Sequence, residues 1–212
     1  MKIVSPSVDI LTPIKSNEIL KRIELYGRTC YKSEDKITDE SAAEFVRGLI
    51  QRGHESVLEH VGLSVKFICD RGVSHEIVRH RLASYSQEST RYCNYRNERF
   101  SNGITVIAPC YITPFTQVWE AWYNAMAQAE NSYFRLLDLG CSPQEARSVL
   151  PNSLKTEVVM TANIREWRHF LRLRTSPAAH PQMREVAMML LKKLKYEEGV
   201  LVLFDDIGEE TA

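Results

Sequence analysis

The sequence lacks the segments that would tie a chain to a membrane or direct it out of the cell. No run of apolar residues reaches the length of a membrane span, and the N-terminal stretch MKIVSPSVDILTPIK has no apolar centre of signal-peptide length. An excess of charge is also missing, because 27 Lys and Arg residues balance 27 Asp and Glu residues. No broad field therefore attracts nucleic acid. We predict a cytoplasmic protein without membrane or nucleic-acid partners, in which a local cluster of cations recognises any anion.

Motifs for disulfides, metals and dinucleotides are missing as well. The five cysteines are odd in number and include no C-x-x-C pair, which argues against a disulfide framework and a zinc ribbon. The six histidines form no H-E-x-x-H pattern, so we predict no metal. No G-x-G-x-x-G follows a strand, which disfavours a doubly wound dinucleotide domain. Cys110 follows a strand without a legible partner base, and we interpret it as an unreactive thiol.

What the chain does contain is enough apolar sequence for one core. With 212 residues, 44% of them hydrophobic, it fits a single globular domain over residues 1–212. Irregular alternation of strand and helix patterns predicts an α+β fold with a mixed sheet flanked by helices. Strands are predicted at the N-terminus and over Val61–Phe67, Ile104–Ala108 and Val158–Ala162.

Capping signals set the predicted helix boundaries. Ser142 and Asn163 each precede a Glu three positions later, the pattern of a capping box. The predicted helices run over residues 17–26 before Gly27, from Thr38 to Gly53, from Thr113-Pro114 to Gly140, from Asn163 to Arg174 and over 182–195.

The densest chemical signal is Arg79-His80-Arg81 in the stretch RHRLASYSQESTRY. Six arginines and no lysine occur from Arg71 to Arg99, and planar guanidinium groups match phosphate oxygens bidentately. Two other interpretations stay open from the residues alone. One is a solvated basic face, and the other is an RNA-binding segment in which nearby tyrosines stack on bases.

A second arginine cluster lies on the predicted helix that ends at Arg174. At about 100° per residue, three of its arginines fall on one side together with a histidine, namely Arg165, Arg168, His169 and Arg172. Arg174 falls on the apolar stripe instead, and no acid lies three or four residues before it. A ligand or a distant acid must therefore supply its anion, unless the side chain reaches solvent at the helix end.

The motif Arg79-His80-Arg81, followed by seven residues and Ser89, resembles the signature of the flavin-dependent thymidylate synthases. Further segments resemble the same family in the same order: Gly53–His60, Ala146–Pro151, Asn163–Arg165, Phe170–Arg174 and His180. The resemblance implies an enzyme that methylates dUMP to dTMP, with 5,10-methylenetetrahydrofolate as carbon donor and FAD, reduced by NADPH, as hydride donor. It also implies a homotetramer whose active sites combine loops of more than one subunit.

The resemblance assigns roles to individual residues. Those expected to hold FAD are Ser56, Arg79, His80, Arg81, Gln87, Asn163, Arg165 and His169. Those expected to hold dUMP are Glu76, Arg79, Gln87, Glu88, Ser89, Thr90, Arg91, Arg147 and Arg174. Arg174 would favour ionisation at N3 of the pyrimidine, and His54 and Tyr92 would lie near flavin and folate.

This chain departs from the usual family pattern at several of these positions. Ser86-Gln87 replaces a frequent Asn-Glu, Glu76 replaces a frequent Gln, and His169 replaces a frequent Asn. A thymidylate synthase of the other kind, with Cys110 as nucleophile, is the enzymatic alternative. Tyr111 stands where that enzyme would carry a histidine.

Overall fold

A computed structural model describes residues 1–208 and has an α+β fold, which confirms the predicted class. Within this range, six strands form two sheets: β1 Lys2–Val4, β2 Ser7–Ile10, β3 Gly62–Asp70, β4 Ala83–Gln87, β5 Thr105–Ile107 and β6 Lys155–Asn163. The larger sheet has the order β2-β3-β6-β4. In the smaller sheet, β1 pairs in parallel with β5, and Lys2 lies opposite Thr105.

The α-helices in the described part of the chain are α1 Ser16–Tyr31, α2 Ser41–Gln51, α3 Arg71–Ile77, α4 Gln117–Asp138, α5 Pro143–Ala146, α6 Ile164–Arg174 and α7 Pro181–Lys192. α7 continues into a π-helical turn, Lys193–Glu197, and short 3₁₀ helices include Glu55–His60 and Leu201–Leu203. Across residues 1–208, no helix combines the length and the apolar character needed to cross a membrane.

The described chain divides into two compact units. The first comprises residues 1–7, 67–79 and 85–159, and the second comprises 8–66, 80–84 and the described residues from 160 onward. The core of the first unit contains buried Tyr95, Ile104, Val106 and Tyr133. In the second unit, α1 packs on α2, and α6 packs on α7 and on the 3₁₀ helix Glu55–His60. That residues 1–212 act as a single domain stays a prediction.

Strand β3 shows the alternation expected from its sequence. Leu63, Val65 and Phe67 are buried, whereas Ser64 and Lys66 are partly exposed. Burial also raises the pKa of the Cys69 thiol, near the end of the strand, to about 12. This cysteine is therefore an inert packing residue at neutral pH.

The predicted end of the first helix at Gly27 is wrong, because α1 continues to Tyr31. A Cβ on Gly27 would lie 2.6 Å from Cε1 of Phe45 on α2. The glycine therefore permits the close approach of two helices and does not end the first one. α1 ends where Lys32 adopts a left-handed conformation, with φ of 48°.

Two predicted helix starts are also wrong by three residues. α2 begins at Ser41 rather than Thr38, and the Ser41 hydroxyl donates to the Thr38 carbonyl oxygen, 3.2 Å away. α4 begins at Gln117, because Phe115 has a positive φ of 65° and the Thr116 hydroxyl accepts the N–H of Trp119 at 3.2 Å. Thr116 thus caps α4 at a later residue than composition predicts, whereas the Ser41 hydroxyl closes the turn that precedes α2.

The capping box predicted at Ser142 is present, whereas at Asn163 the structure shows the side-chain cap without the reciprocal bond of a box. Ser142 and Glu145 form the complete capping box of α5. Asn163 Oδ1 accepts the N–H of Glu166 at 2.9 Å and so begins α6. The carboxylate of Glu166 contacts His80, which makes this residue of the first turn part of the candidate site.

Candidate active site

One cluster of candidate functional residues lies in the second unit and centres on the buried ring of His80. His80 Nδ1 lies 3.2 Å from Glu166 Oε1, and Arg174 Nε donates to His80 Nε2 at 3.1 Å. The side chains of His80 and Glu166 are 3% and 8% exposed. Phe170 and His169 meet the His80 ring edge-on, with centroids 4.8 and 5.7 Å away. Helix α6 thus places both partners of His80, one at each of its ends.

Burial is the main reason that the pKa of His80 lies below its ordinary value. The hydrogen bond to Glu166 raises this pKa in part, while the positive charge of Arg174 lowers it again. His80 is therefore neutral at neutral pH.

Arg174 has a close partner that was not foreseen. Its Nε donates to the neutral ring of His80, and the expected anionic ligand or distant acid stays a prediction. The sequence spacing missed the contact with His80 because His80 lies 94 positions earlier in the chain. The pairing orients the guanidinium group without neutralising its charge.

The angular sorting of the second arginine cluster placed Arg168 and Arg172 on one side of the helix, and the structure bears this out, although the Arg168 side chain is 0% exposed there. Its guanidinium donates to Glu55 Oε1, to both carboxylate oxygens of Asp206 and to the Leu203 carbonyl oxygen. Arg172 Nη2 donates to Glu55 and Asp206 as well, at 3.1 and 2.8 Å. The segment around Leu203 and Asp206 therefore covers this side of α6 at Arg168.

Burial by itself would raise the pKa of Asp206. Hydrogen bonds from Arg168 and Arg172 outweigh that cost and hold the pKa below its ordinary value. The two arginines and two carboxylates form a balanced network that joins α6 to the turn carrying Glu55.

A cavity of about 740 Å³ borders this network and is lined by several residues of the expected FAD set. Its walls are formed by Glu55, Glu59, Leu82, Asn163, Arg165, Glu166, His169 and Arg172. A smaller cavity of about 340 Å³ contains His54, Ser56 and Arg165. Tyr31 Oη lies 3.4 Å from His54 Nδ1 there.

The larger cavity fits a flavin cofactor in size and chemistry. Its volume falls in the range of about 300–1,000 Å³ that ligand sites occupy. Arg165, Asn163 and His169 offer donors to phosphate and ring oxygens, and the exposed Leu82 offers an apolar surface. Arg165 is paired with Glu59, so a phosphate would compete with that carboxylate. Arg81 is exposed beside His80, whereas Arg79 and Gln87 belong to the other unit.

A separate cluster of candidate residues lies in the first unit, in the segment Gln87–Tyr92. Arg147 Nη1 donates to Thr90 Oγ1 at 3.3 Å, and the Arg91 N–H donates to Ser89 Oγ at 3.3 Å. Arg91 also lies over the ring of Tyr92, which is 75% exposed. The fold thus gathers two cations and two hydroxyls of the expected nucleotide set, while Glu76 and Arg79 lie at the end of α3.

Two members of the expected nucleotide set use their side chains inside the protein. Gln87 Nε2 donates to Ser74 Oγ at 2.9 Å and to Thr156 Oγ1 at 3.3 Å. The Glu88 carboxylate accepts from Lys155 Nζ at 3.1 Å and from Tyr95 Oη at 3.3 Å. These hydrogen bonds anchor the start of the nucleotide segment to the sheet.

Lys155 belongs to the residues that the sequence did not single out. Its amine also donates to Glu157, 2.6 Å away. Burial alone would lower the pKa of Lys155, but hydrogen bonds and charge from Glu157 and Glu88 outweigh it and raise the pKa. The sequence also did not single out the acids Glu55, Glu59 and Asp206. Each of them lies far along the chain from the arginine that it contacts.

A cluster of potential metal ligands occurs in the described residues. Ligand atoms of His80, Glu166 and His169 lie within 4.8 Å of one another. The guanidinium of Arg174 at His80 Nε2 disfavours a second cation there. The expectation that the enzyme uses no metal stays a prediction.

Comparison with known proteins places this chain in a family. The model of the family described as thymidylate synthase complementing protein matches residues 14–197. The flavin-dependent thymidylate synthase of Pyrococcus furiosus is 31% identical over 179 residues, which cover 84% of this chain and 72% of that protein.

Solved structures agree with the match. The flavin-dependent thymidylate synthase of Helicobacter pylori, complexed with FAD and dUMP, has a TM-score of 0.74 and 25% identity, over 95% of this chain and all of that one. A UMP/dUMP methylase, PolB from Streptomyces cacaoi, bound with 5-Br dUMP, has a TM-score of 0.78 over 98% of both chains. At 23% identity, the latter shows the shared fold.

The fold and the sequence matches together define the chain as a methyltransferase enzyme. It belongs to the flavin-dependent thymidylate synthase family. The resemblance found in the sequence is therefore confirmed.

Proposed function

We propose that the protein is a flavin-dependent thymidylate synthase that converts dUMP to dTMP in the cytoplasm. In this proposal 5,10-methylenetetrahydrofolate is the carbon donor, and FAD reduced by NADPH is the hydride donor. The observation that carries it is the division of the R-H-R-x7-S motif. His80 contacts Arg174 and also Glu166 and His169, which line the cavity, while Ser89 belongs to the cluster of hydroxyls and arginines.

The expected FAD residues are Ser56, Arg79, His80, Arg81, Gln87, Asn163, Arg165 and His169. When bound, the flavin supplies the hydride, which amino-acid side chains cannot supply. The residues of this chain bind and orient it. The guanidinium groups would contact phosphate, and Asn163 and His169 at the cavity wall would donate to neutral oxygens.

The expected dUMP residues are Glu76, Arg79, Gln87, Glu88, Ser89, Thr90, Arg91, Arg147 and Arg174. Arg91 and Arg147 offer the forked cations that a phosphate monoester needs, and Ser89 and Thr90 add hydroxyl donors. Arg147 already donates to Thr90, so the phosphate would join an existing cluster. The side chains of Gln87 and Glu88 hold the segment in shape, and we assign its main chain to nucleotide binding.

Arg174 is the proposed catalytic residue. A cation held against N3 of the uracil ring stabilises negative charge there and so activates C5 toward the folate methylene. Because that charge develops during the reaction, Arg174 is expected to affect turnover more than nucleotide binding. His54 and Tyr92 are assigned to the vicinity of flavin and folate, where the exposed Tyr92 ring suits stacking.

We further propose a homotetramer with active sites shared between subunits. Helix α4 supports association, because Tyr133 is its one buried residue along 22 positions. Val118 is 64% exposed and Tyr123 is 44% exposed on it, and Phe115 just before it is 95% exposed. These exposed apolar side chains are the surface that we assign to subunit contact. Light scattering of the purified protein should give four times the chain mass of 24.4 kDa, and a monomer would contradict this proposal.

The proposed reaction is tested by incubating the purified protein with FAD, NADPH, methylenetetrahydrofolate and dUMP. We expect dTMP to accumulate and UMP, assayed in parallel, to react much more slowly. Arg174→Ala should lower turnover by about 10²–10³-fold with FAD still bound. The exposed Arg22 on α1 provides the control, because Arg22→Ala should behave as the parent protein. Near-normal turnover in Arg174→Ala would remove the proposed role.

A further inference from the structure

The buried hydrogen bonds of His80 form a chain of three side chains along α6. Glu166 in the first turn of the helix meets one ring nitrogen of His80, and Arg174 in the last turn meets the other, at 3.2 and 3.1 Å. All three residues belong to the same unit. The ring thus connects the two ends of one helix through hydrogen bonds.

The donors and acceptors of these groups assign the proton on the ring. An arginine Nε–H only donates, so His80 Nε2 must present a lone pair to Arg174. A neutral imidazole carries a single N–H, which is then on Nδ1. Nδ1–H donates to Glu166, whose ionised carboxylate only accepts.

The opposite tautomer does not fit this arrangement. With the proton on Nε2, the ring would face the Arg174 N–H donor with a second donor. Nδ1 would at the same time present a lone pair to the oxygen of a carboxylate. Both partners therefore favour the Nδ1–H tautomer, and Glu166 is the one that accepts its proton.

We propose that Glu166 is a positioning residue that holds His80 in the Nδ1–H tautomer and through it aims the guanidinium of Arg174. For its consequence in catalysis, the inference rests on the proposed function of Arg174. Carboxylate–histidine pairs set ring orientation in other active sites by the same physics.

The position of Glu166 is itself well defined. Its N–H donates to the side chain of Asn163 at 2.9 Å, which fixes the start of the helix. A carboxylate in the first turn of a helix also interacts favourably with the helix dipole. Phe170 packs edge-on against the His80 ring and limits its rotation. Backbone, carboxylate and ring are each held before a substrate binds.

Neutron diffraction from crystals of the flavin-bound protein tests the proposal directly, because it locates the exchangeable hydrogen on the ring. We expect density for deuterium on Nδ1 of His80 and none on Nε2. In Glu166→Leu, we expect deuterium on Nε2 and no hydrogen bond from Arg174 Nε to the ring. A proton on Nε2 in the parent protein, or an unchanged tautomer and hydrogen bond in Glu166→Leu, would overturn the proposal.

Kinetics separate positioning from general damage to the protein. Glu166→Leu should lower kcat for dTMP formation at least about tenfold, with KM for dUMP changed less than about threefold. Glu166→Gln keeps a side-chain oxygen that can accept from Nδ1–H, so it should retain the tautomer and most of the turnover. An inactive Glu166→Gln in which Arg174 still donates to His80 would show that Glu166 does not act through this hydrogen bond.

Failure of this proposal can be distinguished from failure of the proposed function. If the parent protein binds FAD but makes no dTMP, the proposed function falls, while the hydrogen positions still decide the tautomer and the orientation of Arg174. If Glu166→Leu does not fold, Glu166→Ala supplies the same diffraction test.

Discussion

Replacing Arg168 by methionine probes the buried network that joins α6 to the turn carrying Glu55. Methionine keeps most of the apolar stem and removes every donor of the guanidinium. Glu55 and Asp206 would then share Arg172 alone, and the Leu203 carbonyl oxygen would no longer accept from Arg168. The variant therefore leaves the two carboxylates and the carbonyl oxygen without some of the hydrogen bonds and the positive charge that stabilise them.

The magnitude follows from burial. Removing one partner of a fully buried ion pair costs about 3–5 kcal/mol. Asp206 is 37% exposed and Glu55 is 14% exposed, so water and Arg172 offset part of that cost. We expect Arg168→Met to lower the free energy of unfolding by about 2–4 kcal/mol at neutral pH.

Urea denaturation of the flavin-free protein measures this change without a contribution from flavin binding. Arg165→Met on the same helix is the control. Its pair with Glu59 joins side chains that are 53% and 46% exposed, and it should cost about 0–1 kcal/mol. The difference in free energy of unfolding between Arg168→Met and the parent protein should narrow as pH falls below 3.8, the ordinary pKa of Asp206, because the folded-state pKa lies lower still. Equal effects of the two substitutions would refute the assignment of a buried network.

Three further predictions concern packing, titration and the cysteine alternative. Gly27→Ala should lower the free energy of unfolding by about 1–3 kcal/mol, because its Cβ would overlap Phe45. In Gly48→Ala, the added Cβ would meet only the flexible end of Arg52. The free energy of unfolding, measured for both variants by thermal denaturation, should be unchanged or higher for this one. The pKa of His80, which faces Glu166, Arg174 and His169, lies below its ordinary value. Its contribution to the free energy of unfolding is therefore complete above about pH 6.5 and is lost as pH falls below that value. Unfolding curves of the parent protein and His80→Gln at several pH values check this, and a parallel pH dependence would contradict it. Cys110→Ser should retain dTMP formation, since Cys110 is exposed and assigned no chemistry, whereas an inactive variant would favour a cysteine nucleophile.

Local patterns predicted much of the fold because their causes lie within a few residues. The period-two alternation of β3 and the caps at Ser142 and Asn163 are examples of such short-range causes. Gly27 misled the prediction because its reason is Phe45, on another helix. A glycine that ends a helix and one that admits a neighbouring helix have the same appearance in sequence.

In the candidate site as well, short-range features were predictable from the sequence and long-range contacts were not. The motif around His80 and Ser89 identified the family, since its spacing is visible along the chain. The environment of Arg168 was not visible, because Glu55 lies 113 positions before it and Asp206 lies 38 after it. Glu166 was seen as a capping residue, but its hydrogen bond with His80 spans 86 positions and required the fold. The pairing of charges across long separations is what the sequence does not specify locally.

The visible spectrum of the purified protein tests the central proposal most directly. We expect the spectrum of a bound flavin that bleaches with NADPH and changes in shape when dUMP is added. Without oxygen, the reduced flavin should be reoxidised only when dUMP and methylenetetrahydrofolate are both present, as dTMP forms. A colourless protein that does not take up FAD, or a bound flavin that responds to neither NADPH nor dUMP, would contradict the proposed function.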